Sequence, residues 1–268
     1  MGQLDGELDH VVLLIPYDTL KNPPNWITDN FTLSPGGRHG DNKTENRLVI
    51  FQDGTYLELI AFIDDDPEKR KGHWWDKPFG VVDFALTTSK KSLDHKGLKE
   101  RLEKSGAGVS YGEPKTGGRS TNGKDIKWEV TFPNNVPRGN VPFFCEDVTD
   151  RNWRVPQAKE NTDHPCKALG MAGVVVEVQK AQLDKLSDAN AAILDEKKDD
   201  NGRYRLAAPV KSNKLMPPTL KLQEAAKGSE RELELALTLQ ISASDPKSSI
   251  HEKIGDGVVR IDFERCSL

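Results

Sequence analysis

LDHVVLLIPYD (residues 8–18) reads as a buried strand running into a loop, and its third residue is a histidine. Side chains alternate along a strand, so His10, Val12 and Leu14 share one face while Val11, Leu13 and Ile15 share the other. A histidine in such an apolar layer needs a partner for each ring nitrogen. The same frame recurs along the chain. His10-VVLLIPYDT-Leu20 aligns without a gap on Asp83-FALTTSKKS-Leu93, and Gly173-VVVEVQKAQ-Leu183 fits it a third time. Each copy is a strand entering a helix, followed by further strand-like runs, which is the mark of an internal repeat. The expectation is an α+β fold of repeated βαβββ units, forming curved, cup-shaped mixed sheets with helices on the outer faces. Residues 1–166 would hold two units (8–63 and 80–146), and 167–268 a third, divergent βαβββ-like unit packed against them.

Outward from that frame, strands are expected at 8–15, 46–52, 55–63, 80–87, 126–132, 141–146, 172–179, 203–208, 231–241 and 257–264. Helices are expected over 18–31, 91–106, 181–195 and 219–227. SLDHKGLKERLEKSG (92–106) spaces Leu93, Leu98 and Leu102 for a helix face and ends on Gly106. GEPKTGGRSTNGKD (112–125) reads as a mobile, glycine-rich loop at the cup mouth. DDDPEKRKGHWWDKP (64–78) reads as a charged linker whose Trp74 and Trp75 cover an edge or mouth.

The 268 residues carry a net charge of −4, with 35% hydrophobic and 30% charged residues. This balance gives no electrostatic reason to expect nucleic acid. The apolar runs are strand-sized, well short of the roughly 20 residues of a membrane helix, so no membrane partner is expected. The acidic start MGQLDGELDH is unlike a secretory signal. Cys145, Cys166 and Cys266 are far apart with no C-x-x-C pair, which suits reduced thiols and a cytoplasmic setting. No GxSxG, GxxxxGK[ST] or HExxH occurs, so the common hydrolase, phosphate-loop and zincin readings have no support.

Chemistry concentrates in PGGRHGDNKTENRLVIFQDGTYLELIAF (35–62). Gly36-Gly37 suggests a tight turn with positive φ, and Asp53-Gly54 a hairpin. Tyr56, Glu58 and Ile60 share a strand face, so Glu58 is a carboxylate among apolar neighbours. It must meet solvent, a cation or a proton there. With His10 it could project into one concave face, and histidine with carboxylate suits Zn²⁺, Mn²⁺, Fe²⁺ or Ni²⁺.

His10 in LDHVVLLIP, the GGRHG turn with its following hairpin, and Glu58 in DGTYLELIAF together resemble the glyoxalase-like domain family. That family belongs to the vicinal oxygen chelate superfamily, which includes glyoxalase, bleomycin-resistance and extradiol dioxygenase proteins. The resemblance is clearest over 8–63, fair over 80–166 and thin thereafter. It implies a cup made from paired units. Metal-binding members take one ligand from the first and one from the last strand of each of two units, and the metal chelates vicinal oxygens of a substrate.

Carried over, His10 and Glu58 match the first-unit ligand positions, with Asp83 as the second-unit counterpart of His10. The last-strand position falls near Phe144 or Cys145. One divalent metal (Zn, Mn, Fe, Ni or Mg) is implied if the set is complete, and none if it is not. His39 and Arg38 follow the glycines and are candidate catalytic or orienting groups beside Glu58. Tyr56, Asn46, Phe144, Trp74 and Trp75 are candidate pocket residues, while His73, His95 and His251 read as solvated. Two functions stay open: a lyase- or isomerase-type enzyme acting on a small oxygenated molecule, and a metal-free protein that binds or sequesters a small molecule. A homodimer is compatible with either.

Overall fold

A computed structural model gives the fold and describes residues 6–88, 93–121, 123–226, 233–242 and 247–266. The expected element starts at 91 and 231, and the expected helix end at 227, lie outside the described residues. The first unit consists of β1 (Glu7–Leu14), two short helices α1 (Tyr17–Lys21) and α2 (Asn25–Thr28), β2 (Ser34–Arg38), β3 (Thr44–Ile50) and β4 (Tyr56–Phe62). One helix was expected over 18–31. Pro23-Pro24 divides it, because proline lacks the amide and clashes with the preceding turn, and Pro24 becomes the N-cap of α2.

Helix α3 (Pro67–Arg70) leads to the second unit: β5 (Gly80–Thr87), α4 (His95–Ser105), β6 (Ser110–Tyr111), β7 (Lys115–Thr121), β8 (Lys124–Thr131), β9 (Pro133–Asn134) and β10 (Phe143–Asp147). In α4, Asp94 accepts from the Gly97 amide at the start, left-handed Gly106 closes the end, and Leu98 and Leu102 are buried. The helices α5 (Arg151–Arg154) and α6 (Lys159–Thr162) precede the C-terminal half. That half contains β11 (Ala168–Val178), α7 (Lys180–Leu194), β12 (Arg203–Arg205), β13 (Thr219–Glu224), β14 (Leu233–Ile241), β15 (Ile250–Ile254) and β16 (Gly257–Arg265).

Among the described residues, fourteen strands form one mixed sheet, and β6 pairs separately with β9. The N-terminal strands run β2-β3-β4-β1-β5-β10-β8-β7. This ribbon curls until its outer strands meet. The Gly40 amide donates to the Gly118 carbonyl at 3.2 Å, and Thr121 Oγ1 donates to the Gly36 carbonyl at 3.0 Å. The result is a cup. Its inner face buries Val12, Leu14, Ile60, Phe62, Trp75, Val82, Ala85, Phe143 and Cys145. Its outer face joins a larger core in which Val11, Leu13, Leu57, Leu59, Phe84 and Leu86 meet Leu98 and Leu102 of α4 and Leu186 and Ile193 of α7. Fully burying each such aliphatic side chain contributes about 1.5–3 kcal/mol.

The repeat has a geometric counterpart. Strands β1 and β5 are antiparallel, with Val11 paired to Phe84, His10 to Ala85 and Val12 to Asp83. A local two-fold axis through the Val11–Phe84 pair therefore exchanges residues 73 positions apart in the sequence, as the gapless alignment has them.

The C-terminal half departs from the expected single third unit. Strand β11 pairs parallel with β13 and antiparallel with β14, and β14 pairs parallel with β16. This is two shortened units back to back, a second and shallower copy of the β1–β5 arrangement. Residues 219–224 form strand β13 where a helix was expected. Leu220 and Leu222 are buried while Lys221 and Gln223 are half-buried, which is a period of two. The stretch 112–125 also differs from its loop reading: Lys115–Thr121 is β7, held by backbone pairing to β8.

Candidate functional site

The cup encloses a cavity of about 280 Å³. His10, His39, Asn46, Tyr56 and Glu58 lie on one side, and Arg119, Trp128, Phe132, Phe143 and Cys145 on the other, with Trp74, Trp75 and Arg154 also in the wall.

His10 reaches this cavity because β1 carries a bulge. The register against β5 slips between Leu8 and His10, leaving Asp9 as the extra residue. A bulge re-aims side chains, and here it brings two consecutive residues into contact. Asp9 Oδ2 lies 2.7 Å from His10 Nδ1. The carboxylate accepts, so Nδ1 carries a proton and Nε2 is the ring nitrogen turned to the cavity. That Nε2 faces Glu58 Oε2 across 3.7 Å. Tyr56 stacks on the imidazole at 4.6 Å between centroids, and Phe143 meets it edge-on.

Asp9 is fully buried and bound to two arginines of α5. Arg154 donates to both its oxygens (2.9 and 3.2 Å), and Arg151 Nη1 lies 2.6 Å from Oδ1. Burial alone would raise the Asp9 carboxyl. Arg151 and Arg154 outweigh it and hold the group well below the usual carboxylate range. Both arginines also engage Asp147, and Arg154 donates to the Tyr56 hydroxyl at 2.6 Å. A buried ion-pair network of this kind fixes geometry more surely than it adds stability.

Asn46 organises the other side. Its Nδ2 donates to Glu58 Oε1 at 2.6 Å and lies 3.2 Å from His39 Nε2. Its Oδ1 accepts from the Gly37 amide at 3.0 Å and from Arg119 Nη1 at 3.3 Å. With all four hydrogen bonds made, the amide orientation follows from the network. His39 Nδ1 lies 2.7 Å from Thr44 Oγ1. Burial lowers the proton affinity of His39 against the opposing pull of Glu58. Gly36 backs directly onto Asn46, and a Cβ there would overlap the Asn46 carbonyl and side-chain oxygens. Neither Gly36 nor Gly37 has positive φ. Both lie in β2, and the glycine at 36 serves close approach, not turn geometry.

His10, Glu58, His39, Asn46, Tyr56, Trp74 and Trp75 thus come together around one cavity. Three expected residues do not. Arg38 is exposed and pairs with Glu45 at 3.4 Å on the outside of β2. Phe144 points into the outer core, because β10 places Phe143 and Cys145 on the cup face and alternation sends Phe144 away. Asp83 is fully buried but absent from the cavity wall: Arg138 pairs with it, Trp75 Nε1 donates to it at 3.1 Å, and the Phe84 amide donates to it at 3.0 Å. His73, read as solvated, is buried between Phe62 and Trp74, and burial lowers it to about 4.

A four-ligand metal site does not fit these residues. The local two-fold axis carries His10 to Asp83, whose carboxylate is taken by Arg138 and Trp75. It carries Glu58, opposite Val12, to Phe143, opposite Ala85, which has no donor atom. Asp9, His10 and Cys145 do place one ligand atom each within 4.8 Å of one another. Asp9, however, is engaged by two guanidinium groups, and burial pushes the Cys145 thiol up, against the thiolate a metal requires. Two donor atoms remain that no hydrogen bond engages, His10 Nε2 and Glu58 Oε2.

Over residues 8–192 the chain matches the Glyoxalase-like domain family. No curated protein sequence matches it. Among solved structures it is similar to a hypothetical protein from Staphylococcus aureus, with 14% identity and a TM-score of 0.66, over 97% of this chain and 100% of that one. It is also similar to a xylose isomerase-like TIM barrel/4-hydroxyphenylpyruvate dioxygenase fusion protein, with 11% identity and a TM-score of 0.51. That alignment covers 90% of this chain and 37% of the fusion protein. At these identities the likeness is one of fold. No helix among the described residues is long and apolar enough to cross a membrane.

Proposed function

This chain belongs to the glyoxalase-like domain family of the vicinal oxygen chelate superfamily, and from that premise we propose that its cup is the active site of an enzyme that moves a proton on a small oxygenated molecule. One observation carries the reading: a buried Asp9–His10–Glu58 line ends at a cavity, with His10 Nε2 and Glu58 Oε2 facing each other at 3.7 Å. Acid–base chemistry needs a base that is oriented and shielded from water. Asp9 sets the tautomer of His10, and Asn46 fixes the rotation of the Glu58 carboxylate.

In this reading Glu58 removes a proton from a carbon next to a carbonyl or carboxyl group, leaving an enolate-type anion. His10 takes that proton on Nε2 and returns it at the neighbouring position or on the other face. The net chemistry of these steps is isomerase-type and uses no resident metal; a lyase-type outcome follows where the carbon next to the anion bears a leaving group, which departs with its bonding electrons as the double bond forms. Residues 1–166 supply every group in this sequence of steps, and 167–268 support them from behind.

Protein incubated in D₂O with 2-hydroxy ketones, 2-oxo acids and 1,2-dicarbonyls is followed by proton NMR. The expected result is solvent deuterium entering a carbon-bound position for at least one class, lost in Glu58→Gln and His10→Ala. Exchange at the buffer rate across the whole set sinks the reading. Elemental analysis after Zn²⁺, Mn²⁺, Fe²⁺ and Ni²⁺ loading is expected to give well under one metal per chain. Near-stoichiometric metal lost in His10→Ala would return the metal-assisted route. The second reading, plain binding of a small molecule, is favoured by Phe143 at a ligand position and by the aromatic wall. It predicts tight binding with no exchange.

A further inference from the structure

Among the described residues, several guanidinium groups lie buried or largely buried around the cup. Arg154 and Arg151 are answered by the carboxylates of Asp9 and Asp147, and Arg138 by that of Asp83. Arg119 is the exception. It is only 6% exposed, and among the described residues it pairs with no carboxylate. Its Nη1 donates to Asn46 Oδ1 at 3.3 Å and its Nη2 to the Arg154 carbonyl at 3.1 Å, while its Nε is buried without a partner.

A guanidinium has five N–H donors in a planar fork suited to carboxylates. Leaving its charge buried and unanswered is costly. Arg119 forms part of the cavity wall, so a bound anion could supply the missing charge. The two rim charges, Lys115 and Asp41, are exposed and solvated.

The rest of the cavity narrows the choice of anion. Trp74, Trp75, Trp128, Phe132 and Phe143 line it. Its volume of about 280 Å³ lies just below the usual range for ligand cavities, roughly 300–1,000 Å³. The position of Arg119 narrows it further. Arg119 donates to Asn46, and Asn46 donates to Glu58, so the cation and the base are two hydrogen bonds apart.

We propose that Arg119 anchors a carboxylate and that the substrate is a small 2-oxo or 2-hydroxy acid with a flat apolar body. The acid group sits at Arg119, the body lies against the tryptophans and phenylalanines, and the carbon that carries the exchangeable hydrogen, C2 of a 2-hydroxy acid or C3 of a 2-oxo acid, is presented to Glu58. The assignment rests on the cavity being the substrate site. The competing account makes Arg119 a structural strut whose charge is answered by Glu58 through Asn46.

Matched pairs of acid and amide, benzoate with benzamide and phenylpyruvate with its amide, are titrated against the full chain by tryptophan fluorescence and thermal shift. Wild type is expected to bind the acid about tenfold tighter than the amide. Arg119→Gln abolishes that preference, Arg119→Lys keeps part of it, and both melt at or above the wild-type temperature without ligand. Glu58→Gln keeps the preference while losing proton exchange. Equal binding of acid and amide by wild type, no binding of either, or a preference that survives Arg119→Gln overturns the anchor. So does a lowered melting temperature in Arg119→Gln with the preference intact. The two readings fail separately. If only the anchor is wrong, exchange persists on acids and amides alike. If only the proton chemistry is wrong, the acid preference persists with no exchange.

Discussion

In β1 the register against β5 slips between Leu8 and His10; in β11 the register against β14 slips between Met171 and Gly173. The two bulges are the same device, 163 residues apart. Superposing them sets Ala172 on Asp9 and Gly173 on His10. The pairings then set Lys221 (opposite Val175) on Glu58 (opposite Val12), and Asp262 on Phe143. A Cβ at Gly173 would overlap the Thr219 carbonyl, so this site cannot hold a histidine in its present form. The bulge and the parallel pairing are thus kept without the chemistry. In the first copy the bulge turns a carboxylate onto an imidazole; in the second it carries an alanine. The backbone offers the opportunity, and side chains decide whether it is used.

Making the first bulge resemble the second is expected to give the largest effect. Asp9→Ala strands the buried charges of Arg151 and Arg154, and denaturant unfolding should show a loss of about 3–5 kcal/mol. The pH dependence has a definite sign. The Asp9 carboxyl is held low in the folded protein, so its contribution is present above the unfolded value of about 3.9. It disappears as the pH falls through the lower folded value, and the acid limb of the stability curve should flatten in Asp9→Ala. A variant as stable as wild type would mean that the two copies differ only in decoration.

Glu58→Gln keeps the shape of the cup and removes the proposed base. Proton exchange should fall by about 10²–10⁴-fold with little change in melting temperature. A third comparison concerns the cavity wall, where the first copy carries Trp74 and Trp75. His73 lies against Trp74, and burial lowers this histidine to about 4. Its stabilising effect is present above the unfolded value near 6.5 and is lost as the pH falls toward 4. His73→Gln should therefore melt with a flatter pH dependence between 6.5 and 4 than wild type. The smallest effect belongs to the second copy: Lys221→Ala should change stability by less than about 0.5 kcal/mol and leave exchange untouched. A clear loss of exchange there would place the C-terminal half in the active site.

The part of this architecture legible in the sequence is the part written in apolar periodicity. The gapless match of His10–Leu20 with Asp83–Leu93 contains the local two-fold axis, and the alternation in TYLELIAF places Tyr56 and Glu58 on the cup face. What stayed hidden depends on exceptions to alternation or on backbone pairing. Asp9 reads as the outward neighbour of His10 until a bulge turns it. Phe143 was displaced to Phe144 by one position, and in a strand one position is a change of face. Arg119 lies in KTGGRST, which has no apolar period because β7 is held by its pairing with β8, with Arg119 its one buried residue. The network of Arg151 and Arg154 with Asp9 spans more than 140 residues of sequence, and RNWR alone gives no sign of it.

Gly36 carries a consequence for the heredity of this site. It bears no charge and lies in β2, yet its missing side chain is the space that Asn46 occupies. Alanine or serine at 36 would displace Asn46 and, with it, both Glu58 and Arg119. Such a lesion would disarm the protein while every acid, base and cation of the site remained in the chain.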